Sequence, residues 1–306
     1  MSLLRRVAST RVLIVAAVVF LATCGGSGGG SDDNKNTATD ECPTHATSSP
    51  TRACGDVGIT TPVCTTKTPV NTVTDLTGTW VLETIGAQVV QVSSFPQPFH
   101  IKSINMALVQ VAQTGSAVTF DGQYCNRIQQ DDPRNPAKVV VLEAWRLSPT
   151  PFHRSGTFTP DETGTWTLNM PSAVETFGAR LAAPACDTLP LDVSDPRLAD
   201  DDGDGSPGIS VGLQGLVNGS LRAVQRQVTA LSGVAVASDR IEGGMAYDSD
   251  QTVVASDPTN IKCLYSTAQS FADPTVCSSS FVMVKLDTST VDCAWVRENQ
   301  TALLGL

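Results

Sequence analysis

From about residue 76 onward, apolar residues recur mostly at every second position, in short runs. Ile209, Val211 and Leu213 alternate with Ser210, Gly212 and Gln214, the period of a strand with one face in a core and the other in water. Val and Thr are frequent in these runs, and Gly, Pro, Asn, Asp and Ser punctuate them, as turns between strands require. The pattern predicts strands over Gly78 to Ile85, Ser103 to Gln113, Ala117 to Tyr124, Val139 to Leu147, Gly156 to Thr159 and Gly164 to Met170. Further strands are expected over Ile209 to Val217, Ser220 to Leu231, Val234 to Ser238, Arg240 to Tyr247, Thr252 to Ala255 and Phe281 to Leu286. Val217-Asn218-Gly219-Ser220 is the sharpest hairpin signal, because Asn-Gly accepts the positive φ angles of a type I′ turn. Helical patterning is scarce. Ser172-Ala-Val-Glu175 fits a capping box opening a short helix. Ser289 to Leu304 could bring Val291, Trp295 and Leu303 to one face, with Cys293 available to staple that helix to the sheet. The expected fold over residues 76–306 is all-β: an antiparallel β-barrel or two-sheet sandwich with a short C-terminal helix.

The start of the chain has a different pattern. Arg5, Arg6 and Arg11 precede an uncharged apolar run from Val12 to Ala22. A membrane-spanning helix needs roughly 20 apolar residues, so this shorter run reads as the h-region of a signal peptide. Leu21-Ala22-Thr23-Cys24 resembles the lipobox of bacterial lipoproteins, with Thr23 standing where Gly, Ala or Ser is usual. The resemblance implies removal of residues 1–23 and a membrane anchor through lipid on Cys24; the alternative is an ordinary secretory signal cut near Ala22. Gly25-Gly-Ser-Gly-Gly-Gly-Ser31 and the polar Asp32 to Asn36 after it form a flexible tether. Residues 24–40 therefore read as a linker, and 41–75, rich in Thr, Ser and Pro, as an extended segment pinned by disulfides. The expected location is the bacterial cell envelope, at the outer membrane, with the folded part outside the cytoplasm. Gly25 to Gly29 also spells G-x-S-x-G, but it lacks the preceding strand and following helix that a nucleophile elbow needs.

Nine cysteines become eight once Cys24 is assigned to lipid: Cys42, Cys54, Cys64, Cys125, Cys186, Cys263, Cys277 and Cys293. An even number in an exported chain reads as a disulfide framework, whose connectivity the sequence leaves open. None of these cysteines sits in a C-x-x-C pair, and His45, His100 and His153 are the only imidazoles, a poor set for zinc. The net charge of −10 becomes more negative once the arginines of the leader are removed. Such a surface is repelled by phosphate backbones, so nucleic acid is excluded as a partner.

Two motifs point to local roles. Thr77-Gly78-Thr79-Trp80-Val81-Leu82 recurs as Thr163-Gly164-Thr165-Trp166-Thr167-Leu168. The first copy resembles the G-x-W opening of lipocalins, which implies a cup-like barrel with Gly78 permitting close backbone approach and Trp80 packing its floor. The alternative is a strand that simply begins with a large core residue. The acidic run Asp200-Asp201-Asp202-Gly203-Asp204-Gly205-Ser206 places Asp200, Asp202 and Asp204 at positions 1, 3 and 5 of a calcium loop, with Gly205 at 6. It resembles the EF-hand and thrombospondin type 3 loops. The resemblance implies a structural Ca²⁺ held by these carboxylates and the backbone oxygen of Ser206, with Asp192 or Asp195 completing the shell. The departure is Val211 in place of the bidentate Glu at position 12, where a strand begins instead of a helix. The competing reading is a solvated acidic turn.

No Ser, His and acid are marked as a catalytic set by motif. The expectation is a non-enzymatic envelope module, binding an apolar small molecule or a protein partner. The alternative is an envelope hydrolase whose site is not legible in the sequence. The pairing of Pro96-Gln-Pro98-Phe99-His100 with Pro149-Thr-Pro151-Phe152-His153 reads as repeated loop geometry, against a two-histidine site.

Overall fold

The computed structural model describes residues 61, 64–91, 97–135, 137–215, 217–259, 261–262, 269–287 and 290–304. The lipobox, the glycine tether, Cys42, Cys54, Cys263 and His45 lie outside the described residues.

The alternating segments form eleven strands: β1 Gly78–Gln91, β2 Phe99–Thr114, β3 Ala117–Asp131, β4 Ala137–Val141, β5 Pro151–Pro160, β6 Trp166–Phe177, β7 Ile209–Gly215, β8 Gly219–Ala237, β9 Arg240–Asp257, β10 Gln269–Ala272 and β11 Ser280–Lys285. Helices α1 Glu143–Leu147 and α2 Cys293–Leu304 accompany them. All strand pairings are antiparallel, and eight strands close into a ring in the order β1-β2-β3-β5-β6-β8-β9-β11 and back to β1. Closure leaves those eight without a free edge. The sheet forks at β8, whose first residues pair with β7, and β7 in turn pairs with β4. β10 continues past β11 along the same side of β1.

The period-two pattern decides what faces inward. Trp80, Leu82, Phe120, Phe158, Leu168, Met170, Leu231, Ile241, Phe281 and Met283 fill one end of the ring, and burying each contributes roughly 1.5–3 kcal/mol. Leu76 and Val73, from the segment ahead of β1, cap that end, and the Trp80 indole N–H donates to the Leu76 carbonyl at 2.7 Å. The second G-x-W copy is less enclosed: Trp166 is half-buried and stacks on Phe158 at 5.0 Å. Gly78, at φ 136°, faces the Lys285 side chain, whose ammonium lies 5.7 Å from the centre of the Trp80 ring.

On the outer face α2 packs Val296, Trp295 and Leu303 over Val81 and Leu108. The Cys125–Cys293 disulfide fastens its first turn to β3, and Cys64–Cys277 fastens the segment ahead of β1 to the stretch before β11. Cys186 is disulfide-bonded as well. These bridges are the mark of an oxidising, extracytoplasmic compartment.

The structure corrects several local expectations. Ser172 to Glu175 is not helical but the bulged middle of β6, paired with β8; a ladder of cross-strand hydrogen bonds outweighs one capping box. Val139 to Leu147 is strand only to Val141, after which Trp145 turns inward against Phe177 and α1 forms. Ser220 to Leu231 and Val234 to Ser238 are one strand, as are Arg240 to Tyr247 and Thr252 to Ala255. Ser232-Gly233 looks like a turn, yet Gly233 pairs with Gly243, and the Phe281 ring occupies the space where a Cβ at either would stand. The β7–β8 hairpin is present but is not a two-residue Asn-Gly turn. Gly219 already pairs with Leu213, and the Asn218 side chain bridges both the N–H and the C=O of Gly215.

Candidate metal centre and polar interior

The acidic run lies in the long connection between β6 and β7. This connection folds over the outer face of β8 and β9, burying Ala179 and Leu189 against Val224 and Val254. Arg226, 3 % exposed beneath it, pairs with Asp250 at 2.5 Å and donates to the carbonyls of Pro184 and Asp187. Gly203, Gly205 and Gly208 have φ of 71°, 83° and 101°. These left-handed values are open to glycine at little cost, and they fold the run back on itself so that Asp200 bridges to Gly208.

The result brings one oxygen each of Asp200, Asp202 and Asp204 within 4.8 Å of one another. Asp200 accepts from the backbone N–H groups of Gly203, Asp204 and Gly205 at 2.7, 3.2 and 2.9 Å. Burial works against its charge, but the N–H groups of Gly205 and Gly203 outweigh this and hold its pKa below the ordinary value. Asp204 accepts from Ser206 N–H at 2.8 Å and from the Ser210 hydroxyl at 2.6 Å. Asp202 is different. It is 8 % exposed; Oδ2 accepts from Ser210 N–H at 2.7 Å, while Oδ1 is buried without a donor. Burial, joined by the charge of Asp204, raises its pKa. The three carboxylates together form a donor set that could hold a metal ion.

Of the other sequence-predicted ligands, Ser206 offers its N–H to Asp204. Asp192 and Asp195 lie in turns of their own. Asp192 accepts from Ser194 N–H, and Asp195 is engaged by Arg197 at 2.7 and 3.0 Å. Val211 sits in β7 between Val141 and Leu221, so the EF-hand's twelfth ligand has no counterpart. Asp201, passed over in the sequence, is the clasp of the loop. It pairs with Arg180, accepts from Gly178 N–H at 2.6 Å, and its carbonyl accepts from the Ser148 hydroxyl at 2.6 Å.

The end of the ring opposite Trp80 is polar, which the sequence reading missed. Phe152 and Phe158 point inward from β5, so period two carries Arg154 inward with them. Arg154 is 7 % exposed; it donates to the Thr229 and Pro171 carbonyls at 2.7 and 3.3 Å, and its Nε has no partner. Tyr124 donates to both oxygens of Glu175 at 2.8 and 3.0 Å. Burial first, then the Glu175 charge, pushes the Tyr124 pKa well up. Arg127 stacks on Trp145 at 3.9 Å and Tyr124 at 4.6 Å and donates to the carbonyls of Trp145 and Ser148. Burial lowers its pKa to about 10, so it stays cationic at neutral pH.

The described histidines do not meet. His100 faces Asp273 at 2.9 Å, next to Asp132 just past the end of β3, whereas His153 lies opposite Asp121, eleven residues before Asp132. His153 Nδ1 contacts Asp121 at 2.6 Å, and its Nε2 is 3.5 Å from the Ser155 hydroxyl, all on the outer face of β3 and β5. No protein-family model, curated protein or solved structure matches the chain.

Proposed function

We propose that the chain is a lipid-anchored protein of the bacterial cell envelope whose β-ring is a non-enzymatic binding or structural module braced by Ca²⁺. The observation that carries the reading is the buried Asp202 Oδ1, which has no donor and lies in a cluster with Asp200 and Asp204. An all-oxygen donor set on a glycine-rich turn suits a hard cation, and Ca²⁺ tolerates the irregular shell that Mg²⁺ resists. The ion would tie the end of β6 to the start of β7, since the same loop is held to Gly178 and to Ser210. Lipid on Cys24 and export of the folded part agree with the disulfides. A ring end packed by Trp80, Phe120, Phe158 and Phe281 leaves little room for an apolar small molecule, which favours a protein partner or a structural role. Calorimetry with CaCl₂ tests the clip: wild type is expected to bind one ion and Asp202→Ala none, and absence of heat in wild type removes the reading.

A hydrolase is the second reading, on the strength of the Asp121–His153–Ser155 contacts. His153 and Asp121 are 61 % and 68 % exposed, so they lack the water-excluded setting in which a triad and oxyanion donors work. Labelling by a fluorophosphonate that disappears in Ser155→Ala would favour the hydrolase, and an unlabelled wild type would end it.

A further inference from the structure

Asp201 stands in the chain between two carboxylates of the ion site, Asp200 and Asp202, but its contacts lie elsewhere. Its carboxylate pairs with Arg180 and accepts from Gly178 N–H at 2.6 Å, and its carbonyl accepts from the Ser148 hydroxyl at 2.6 Å. Ser148 closes α1: its N–H donates to the Trp145 carbonyl at 3.3 Å. Arg127 in turn donates to the carbonyls of Ser148 and Trp145 at 2.7 and 3.1 Å and stacks on the Trp145 ring at 3.9 Å. A run of hydrogen bonds therefore leads from the ion loop through Ser148 to Trp145 and Arg127.

α1 is an element that such a run can move. It has five residues, and Leu142 ahead of it gives no side-chain cap; a helix so short does not hold by itself in water. Its place depends on Trp145, packed on Phe177, Ile209 and Ala223, and on Arg127. Arg127 is 4 % exposed, and its Nη2 is buried without a partner among the described residues. Buried charge is costly unless it is countered. The carboxylates that act on Arg127 are Glu175 and Asp201. Glu175 also serves Arg154 and accepts from Tyr124 with both oxygens. Asp201 is carried on the ion loop, so a loop that loosens takes with it both the Ser148 contact and part of the charge that counters Arg127. We propose that α1 is a latch set by the ion: occupancy of Asp200, Asp202 and Asp204 fixes Asp201 and keeps α1 closed with Trp145 on Arg127, and removal of the ion lets α1 open and water reach Arg127. The latch rests on the calcium reading and adds its regulation.

Hydrogen–deuterium exchange of the full mature chain, with chelator and with excess CaCl₂, tests this alongside calorimetry, read by mass spectrometry on peptides covering residues 143–148 and 200–208. In wild type Ca²⁺ is expected to slow exchange in both segments, by about fivefold or more in 143–148, the lower end of the usual coupling between linked sites. Ser148→Ala removes the hydroxyl that reaches Asp201 and no carboxylate of the ion site. In this variant the heat of binding and the protection of 200–208 are expected to persist, while the protection that Ca²⁺ gives to 143–148 is lost. Binding heat with exchange in 143–148 indifferent to Ca²⁺, or a Ser148→Ala chain that responds as wild type does, overturns the latch and leaves the metal clip standing. Absence of heat in wild type overturns the clip, and the latch with it. The wild-type measurements decide the matter if Ser148→Ala does not fold.

Discussion

Asp202→Asn separates the ion site from the acidic turn. In the metal-free protein the Asp202 carboxylate is buried, one oxygen lacks a donor, and Asp200 and Asp204 stand beside it. Asparagine keeps an acceptor for Ser210 N–H and removes a charge from that crowd. In chelator the variant is therefore expected to melt at or above wild type. Adding Ca²⁺ reverses the order. For a dissociation constant of about 0.1 mM, in the range of extracellular modules, ~1 mM Ca²⁺ stabilises the native state by about 1.4 kcal/mol. In a domain of this size that raises Tm by roughly 3–6 °C. The assay is a pair of melting curves for each protein, with chelator and with 1 mM CaCl₂. A wild-type Tm indifferent to Ca²⁺, or a variant that responds as wild type does, refutes the reasoning.

Four further outcomes are expected. Calcium affinity, followed by calorimetry from pH 7.5 to 5, falls as pH falls: the ion displaces any proton on Asp202, whose pKa burial raises. Glu83, 3 % exposed on β1, has its pKa raised by burial despite Arg240; the native state then holds its proton more tightly than the unfolded chain, so its contribution is greatest at low pH and is lost as pH rises through the native pKa. Glu83→Gln should accordingly gain stability relative to wild type between pH 5 and 8 in urea unfolding. Removing both Cys125 and Cys293, 168 residues apart, should cost about 2–5 kcal/mol in the same assay. Trp80→Ala should cost about 3–5 kcal/mol, since the ring is fully buried and its N–H bonds to Leu76.

Features resting on local chemistry could be read from the chain. The alternation of Ile209, Val211 and Leu213 is β7, and Gly78-Thr79-Trp80 opens β1 with Trp80 in the core. The stripe of Trp295 and Leu303 with Cys293 is a helix stapled to the sheet, although it begins at Cys293 and so leaves Val291 ahead of it, and the spacing of Asp200, Asp202 and Asp204 does make their carboxylates converge. Features decided across the sheet could not. Ring closure depends on β6 meeting β8 across the acidic connection and on β11 meeting β1, pairings between distant parts of the chain. Gly233 resembles a turn residue until Gly243 and Phe281 are brought against it. Arg154 shares its inward face with Phe152 and Phe158, so its burial was implied by period two; what was hidden was the partner set, since Tyr124, Glu175 and Thr229 come from three other strands. Asp201 was passed over because the calcium pattern gives position 2 no role, whereas the fold uses it as the clasp to Arg180 and Gly178.

Native mass spectrometry of the protein extracted from its own membrane tests the central claim most directly. The expected result is a chain beginning at Cys24, heavier by several acyl chains, with its remaining cysteines oxidised and one Ca²⁺ that a chelator removes. A chain beginning near Thr23 without lipid, carrying no ion before or after addition of Ca²⁺, would contradict it.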